Sequence, residues 1–288
     1  MKASDNYITP DLKNRVALVT GASRGIGKGI AKVLGQAGAT VYVTGRTKKE
    51  AEQKEGLPGT IEDTARLVNK AGGTGIAVYC NHTNDGDVEK LFKRIRFNSR
   101  KLDLLVNNIW GGYENHDETF NSPFWEQPLR RWNGMFNAGV RAHFTASRLA
   151  ARIMIRKKSG LIINISAGDQ GKFLHSTMYD TAKNAMDRMA LGMALELRKY
   201  NVAALAIHPG FTRTERVMKA LESSKSFDIN TTHSVEYVGR AVVALAADPA
   251  VMHKSGGVYA AGDLAHEYGF TDVDGRHVEA FHIPDFEG

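Results

Sequence analysis

The stretch Arg15-Val16-Ala17-Leu18-Val19-Thr20-Gly21-Ala22-Ser23-Arg24-Gly25-Ile26-Gly27 decides how this chain is read. An apolar run of strand length stops at Thr20 and glycines follow without a gap. The amphipathic segment Lys28 to Ala37 comes next, closed by Gly38. That order spells strand, tight glycine turn, helix. Glycines let a backbone approach a pyrophosphate closely, and the positive end of the helix then holds the anion. The spacing is Gly-x-x-x-Gly-x-Gly, and the turn offers Gly21, Ser23, Arg24, Gly25, Ile26 and Gly27 as cofactor contacts.

Working outward, Thr40 to Thr44 reads as the second strand and ends in Gly45-Arg46-Thr47. Sites that prefer NAD carry an acid here for the ribose 2′-hydroxyl. This chain has Arg46, with Arg24 inside the glycine turn. Two guanidiniums and no carboxylate suit a 2′-phosphate, so the expected cofactor is NADP(H); the alternative is that Arg46 is a solvated loop residue. Thr60 and Asp63 form a capping pair for a helix running to about Ala71. Gly75 to Cys80 is the third strand. Asn81 and His82 follow it as candidate adenine contacts, His82 being equally readable as a loop residue.

Asp85 to Arg96 is helical, and Leu102 to Asn107 is a buried strand ending in Asn107-Asn108, amides that can pin loops and line a cleft or simply form a turn. Pro128 to Arg156 reads as one long helical stretch containing Asn137. Leu161 to Ser166 is the fifth strand, and Asn201 to Ile207 is the sixth, leading into His208-Pro209-Gly210-Phe211-Thr212. Val235 to Ala247 is helical, and Gly256 to Ala260 is the last strand. Strands alternating with helices predict an α/β doubly wound fold: a seven-stranded parallel sheet with helices on both faces.

Tyr179-Asp180-Thr181-Ala182-Lys183 carries the chemistry. On a helix beginning near Ser176, positions 179 and 183 share one face, so a phenol and an ammonium point into one volume. A free phenol has a pKa of about 10. A neighbouring cation is expected to pull it toward neutrality and make it a working acid or base. Ser166, at the carboxyl end of its strand, stands where open parallel sheets bind ligands.

With 288 residues the chain suffices for one large core, and 29 glycines against 7 prolines fit the many tight turns. Cys80, the single cysteine, forms no internal disulfide, and no Cys/His cluster has metal spacing. A reducing, cytoplasmic setting is expected. Met1 to Lys13 lacks the apolar core of a signal peptide, and no apolar run reaches the roughly 20 residues of a membrane span. The net charge of +7 is spread over helix faces, which argues against nucleic acid as a partner. The whole of 1–288 reads as a single domain. An irregular segment at about 109–127, rich in aromatics (Tyr113, Phe120, Phe124, Trp125), is either the wall of a lipophilic substrate pocket or a satellite core. A polar segment at about 211–233 has the composition of a lid, and a tail runs from about 264 to 288 with a turn at Asp272 to Arg276.

Taken in order, Thr20-Gly21-x-x-x-Gly25-Ile26-Gly27, Asn107-Asn108, Ser166, Tyr179-x-x-x-Lys183 and Pro209-Gly210 resemble the short-chain dehydrogenase/reductase family over about Lys13 to Asp263. A closer likeness to one branch rests on Phe124-Trp125-Glu126-x-Pro128, on Asn137-Ala138-Gly139-Val140-Arg141-x-His143-Phe144 and on Tyr268-Gly269-Phe270-x-Asp272-Val273-Asp274-Gly275-Arg276. The resemblance implies Tyr179 as general acid in reduction, with Lys183 supporting it and bonding the nicotinamide ribose. It implies Ser166 on the substrate carbonyl, Asn137 holding a water that links Lys183 to solvent, and Pro209, Gly210 and Thr212 over the nicotinamide carboxamide. It also implies a homodimer or homotetramer. The sequence departs from the family pattern at Ile109-Trp110, where Ala-Gly is usual and the cleft floor is therefore bulkier. Asn81 replaces an acid, and Ala167 replaces a second serine. The implied activity is hydride transfer between NADP(H) and the carbonyl or alcohol of a lipophilic small molecule. The alternatives are reduction of a 3-oxoacyl thioester and a non-catalytic NADP(H)-binding regulator.

Overall fold

Parallel strands covered by helices on both faces must be apolar on both sides, and the predicted runs meet that demand. The computed structural model describes residues 7–48, 56–114, 117–169, 171–223 and 229–283. Parts of the polar start, of the segment after Arg46, of the aromatic segment, of the lid and of the tail therefore lie outside the described residues. The strands are β1 (Val16–Val19), β2 (Thr40–Gly45), β3 (Thr74–Tyr79), β4 (Leu104–Asn107), β5 (Gly160–Ile165), β6 (Val202–His208) and β7 (Val258–Ala260). They form one parallel sheet in the order β3-β2-β1-β4-β5-β6-β7. Strand order reverses between β1 and β4, which leaves a crevice at their carboxyl ends.

The two-residue period of a strand sends alternate side chains to opposite faces. Ala17 and Val19 of β1 join one core with Val41, Val106 and Ile163 under helices α1 (Gly25–Gln36) and α8 (Val235–Ala247). Val16 and Leu18 join the other with Tyr42, Leu105 and Ile162. Helices α3 (Asp85–Ser99), α5 (Ala142–Lys157) and α6 (Thr177–Leu197) cover that second face. Cys80 is fully buried, and desolvation pushes its thiol up to about 12, so it stays protonated and inert. Among the described residues no helix is long and apolar enough to cross a membrane.

Helix starts follow their caps. Thr60 accepts from Asp63 N at 3.0 Å and opens α2 (Ile61–Lys70), as the capping pair predicts. Asn84 does the same for α3, and Ser234 for α8. Helix α1 is the exception, because its N-cap, Arg24, makes no side-chain cap bond and its first turn holds no acid.

Two expectations need correction. The stretch read as one helix is α4 (Arg130–Trp132), a π-helical segment (Asn133–Arg141) and then α5. Its wider winding fits close backbone packing: a Cβ added at Gly134 would lie 2.6 Å from Gly111 O. The tail begins later than Leu264, since Ala261–Tyr268 forms helix α9. Beyond it, the turn at Asp272 to Arg276 forms as read, with Gly275 N donating to Asp272 O at 2.9 Å. The remainder is fastened to the body: Tyr237 Oη donates to Val278 O at 2.7 Å, and Ile283 N donates to Asp169 at 2.8 Å. Within the polar segment at about 211–233, Glu215–Ser223 forms helix α7.

Candidate active site

The crevice is built first by glycines. Gly21 takes φ +65°, and a Cβ there would meet Ile109 Cα at 2.9 Å. A Cβ on Gly27 would strike Asn108 Nδ2 at 2.4 Å, so the turn can lie against the end of β4 only with hydrogen at these positions. Asn108 then ties the two together: its Nδ2 donates to Thr20 O and Gly21 O, each at 3.0 Å, and its backbone N donates to Thr20 Oγ1 at 3.0 Å. Its neighbour Asn107 is wholly buried and donates to Ser147 Oγ at 2.8 Å and to Asn164 Oδ1 at 3.0 Å, fixing β4 to β5 and α5.

The N-terminus of α1 lacks a cap of its own, and an anion from far along the chain supplies one. Glu215 Oε2 accepts from Gly25 N at 2.7 Å, and its Oε1 pairs with Lys28 Nζ at 3.4 Å. At the carboxyl end of β2, Arg46 is ion-paired with Glu114 of the loop after β4. Both groups that the sequence assigns to phosphates therefore hold carboxylates of this chain, as a helix N-terminus and a guanidinium each favour.

Beyond them, β5 and α6 carry three of the four residues of the predicted catalytic set. Ser166 is buried, and its Oγ donates to Lys183 O at 2.9 Å. The Lys183 ammonium is buried too and rests 4.0 Å from the centre of the Trp110 ring and 5.6 Å from that of Tyr179. The Tyr179 ring meets Trp110 edge to face at 5.5 Å and Phe120 at 5.9 Å, and its hydroxyl accepts from Tyr113 Oη at 3.0 Å. Trp110 is the bulky floor read from the sequence, and it fits because of Gly139, where a Cβ would lie 2.8 Å from the indole.

The electrostatics depart from the sequence reading. Tyr179 was expected to have its pKa lowered by Lys183, yet burial, with Tyr113 alongside, raises it well above 10. Lys183 itself is lowered to about 7 by desolvation, against the pull of Asp187. The cause is common to both: an aromatic enclosure penalises either charge, and an ammonium over Trp110 does little for a phenolate. At neutral pH the pair is a protonated phenol beside an amine near its midpoint.

The short chain dehydrogenase family model matches residues 15–225, across the glycine turn, the asparagine pair and the Tyr179–Lys183 helix. The chain belongs to the short-chain dehydrogenase family. It is thereby an oxidoreductase. Mouse dehydrogenase/reductase SDR family member 1 is 36% identical over 281 residues, covering 94% of this chain and 87% of its own length. The 3-oxoacyl-(acyl-carrier-protein) reductase FabG of Aquifex aeolicus (strain VF5) is 29% identical, covering 86% of this chain and 98% of its own. A short chain dehydrogenase from Mycobacterium thermoresistibile shares the fold at a TM-score of 0.80 and 24% identity, covering 96% of this chain and 99% of that one.

Not every residue that the family pattern suggests lies in the crevice. His82 is fully buried, with Nε2 2.9 Å from Thr44 Oγ1, and desolvation lowers it to about 4; it is a neutral core histidine. Asn81 spends its carbonyl on Thr83, accepting from the backbone N at 3.2 Å and from Oγ1 at 2.9 Å. Asn137 lies on the exposed face of the π-helical segment and donates to Asn133 Oδ1 at 3.0 Å, so its amide does not join Ser166, Tyr179 and Lys183. Thr212 is buried where its backbone bridges to His233. Thr214 is the threonine that faces the glycine turn, its Cγ2 3.4 Å from where a Gly25 Cβ would lie. Period-two alternation through Thr212-Arg213-Thr214 was the available signal for it. Pro209 and Gly210 sit at the end of β6, where His233 Nε2 lies 2.6 Å from Pro209 O. Among the described residues no cluster of His, Cys, Asp or Glu could hold a metal ion.

Proposed function

We propose that this oxidoreductase is an NADP(H)-dependent carbonyl reductase or alcohol dehydrogenase acting on a lipophilic small molecule. What supports the reading is the Lys183 ammonium 5.6 Å from the centre of the Tyr179 ring, with Ser166 Oγ bonded to the backbone O of Lys183, in a chain whose glycine turn is fastened by Asn108. Gly21, Ser23, Gly25, Ile26, Gly27, Arg24 and Thr214 line the proposed pyrophosphate subsite, and Arg46 the 2′-phosphate subsite. Arg46 already holds an anion, which supports a 2′-phosphate there. When bound, the nicotinamide supplies or accepts the hydride.

The chain's own share is protonic and positional. Tyr179, protonated at neutral pH, gives its proton to the oxygen of a carbonyl being reduced, and takes one in the reverse direction. Lys183, near its midpoint, gains a proton readily once polar partners enter the enclosure and then stabilises the phenolate left behind. Ser166 orients the carbonyl by turning its hydroxyl from Lys183 O. Trp110, Tyr113 and Phe120 surround Tyr179 with apolar surface, which favours a lipophilic substrate and excludes water from the reacting oxygen. A homodimer or homotetramer suits the exposed apolar residues Leu129, Trp132 and Phe144.

The test is a panel of ketones, aldehydes, quinones and 3-oxoacyl thioesters, offered with NADPH and with NADH. Oxidation of NADPH by apolar ketones or aldehydes is the expected result. A preference for NADH, or for the thioesters alone, would replace the reading.

A further inference from the structure

Helix α1 presents an uncapped N-terminus, and such an end attracts an anion. The group that answers it is the Glu215 carboxylate, delivered by the first turn of α7 and shared with Lys28. The second latch is independent in sequence: Glu114, two residues into the glycine pair's far side, closes on Arg46. The two meet through their neighbours, because the guanidinium of Arg216 lies 6.0 Å from the ring centre of Tyr113. Tyr113 in turn is bonded to Tyr179.

We propose that Glu215 and Glu114 are built-in anions that occupy the pyrophosphate and 2′-phosphate subsites, so that these two side chains set the affinity for NADP(H). This rests on the NADP(H) reading above. NADP(H) must displace both carboxylates, since two anions in one subsite repel, whereas NAD(H), which lacks the 2′-phosphate, displaces Glu215 alone. Displacement releases α7 and the loop carrying Trp110 and Tyr113, and with them the cover over Tyr179.

The partners are partly exposed, with side chains 22% accessible for Glu215 and 37% for Glu114, so each latch is strong enough to compete and weak enough to open. Because both nucleotides share the pyrophosphate, E215Q is expected to tighten NADPH and NADH alike, by about tenfold each. E114Q is expected to tighten NADPH by a similar factor and to leave NADH unchanged.

The experiment titrates the full-length protein with NADPH and NADH, read by nucleotide fluorescence, in wild type, E215Q, E114Q and the control E236Q. Glu236 pairs with Lys32, away from the glycine turn, and its variant should bind as wild type does. Wild-type binding with no gain in either glutamine variant overturns the latch and leaves the NADP(H) reading standing. No nucleotide binding by any form overturns both. Amide hydrogen exchange on the wild type guards against a misfolded variant: exchange across 215–223 should rise when NADPH is added, and protection there would equally overturn the latch.

Discussion

Tyr113 Oη donates to Tyr179 Oη across 3.0 Å, with the two rings stacked at 6.0 Å between centres. The phenol expected to serve a substrate therefore has one lone pair taken by another phenol, while its own O–H is left to donate to a carbonyl. A substrate that needs the space filled by the Tyr113 hydroxyl displaces that bond, which has a net worth of about 0.5–1.5 kcal/mol. Tyr113→Phe is accordingly expected to lower KM a few-fold while kcat stays within about tenfold of wild type. A hundredfold loss of kcat in steady-state kinetics would instead place Tyr113 in the proton transfer.

Lys183 is a buried amine whose folded pKa of about 7 lies below its ordinary 10.5. Between those values the unfolded chain binds the proton and the folded chain does not, so this group makes stability rise with pH from about 7 upward. Below pH 7 the folded protein carries the full cost of a buried cation. Lys183→Met removes that cost at similar volume. It is expected to raise the melting temperature by a few degrees at pH 6.5 while turnover is lost. An unchanged or lowered melting temperature would show the ammonium to be well paired.

His82 and His143 are both fully buried and lowered by desolvation, to about 4 and about 3. Each is neutral when folded and takes a proton near 6.5 when unfolded. Stability from each is thus complete above pH 6.5 and falls by about 1.4 kcal/mol per pH unit as pH drops toward the folded value. Urea titrations at pH 7, 6 and 5 should show this decline. Replacing His143, whose Nε2 lies 3.0 Å from Ile109 O, by glutamine should roughly halve it and leave the part due to His82.

Asp272 is wholly buried, accepting from Arg213 at 3.0 Å and from Ser234 N at 2.8 Å, so it ties the tail to the chain on either side of α7. Asp272→Ala leaves Arg213 only its longer ion pair with Asp274, at 3.9 Å, and takes the acceptor from Ser234 N, and should cost about 2–3 kcal/mol, read from the urea midpoint. A change under 0.5 kcal/mol would show that the tail is held by its apolar contacts alone.

The sheet was legible because strands buried on both faces read as apolar runs, and α8 was found in full because its residues are almost continuously apolar. The glycine turn and the set of Ser166, Tyr179 and Lys183 were legible because their residue types have few other uses at that spacing. The rest depended on distant partners. Tyr179 and Lys183 share a face as read, but Trp110 and Tyr113, brought in from another loop, decide which way their pKa values move. The π-helical turn of Asn133–Arg141 answers a contact between Gly134 and Gly111, which no local pattern records. His82 lies in a loop by sequence and in the core by topology. The carboxylates of Glu114 and Glu215 look like ordinary surface charges until the fold sets them on Arg46 and Gly25.

The most direct measurement of the central claim compares Tyr179→Phe with wild type for two quantities: the dissociation constant for NADPH, and the rate at which bound NADPH is consumed by a ketone that the wild type reduces. The account predicts an unchanged dissociation constant and a rate lower by about 10²–10⁴. Equal rates in the two proteins would contradict it.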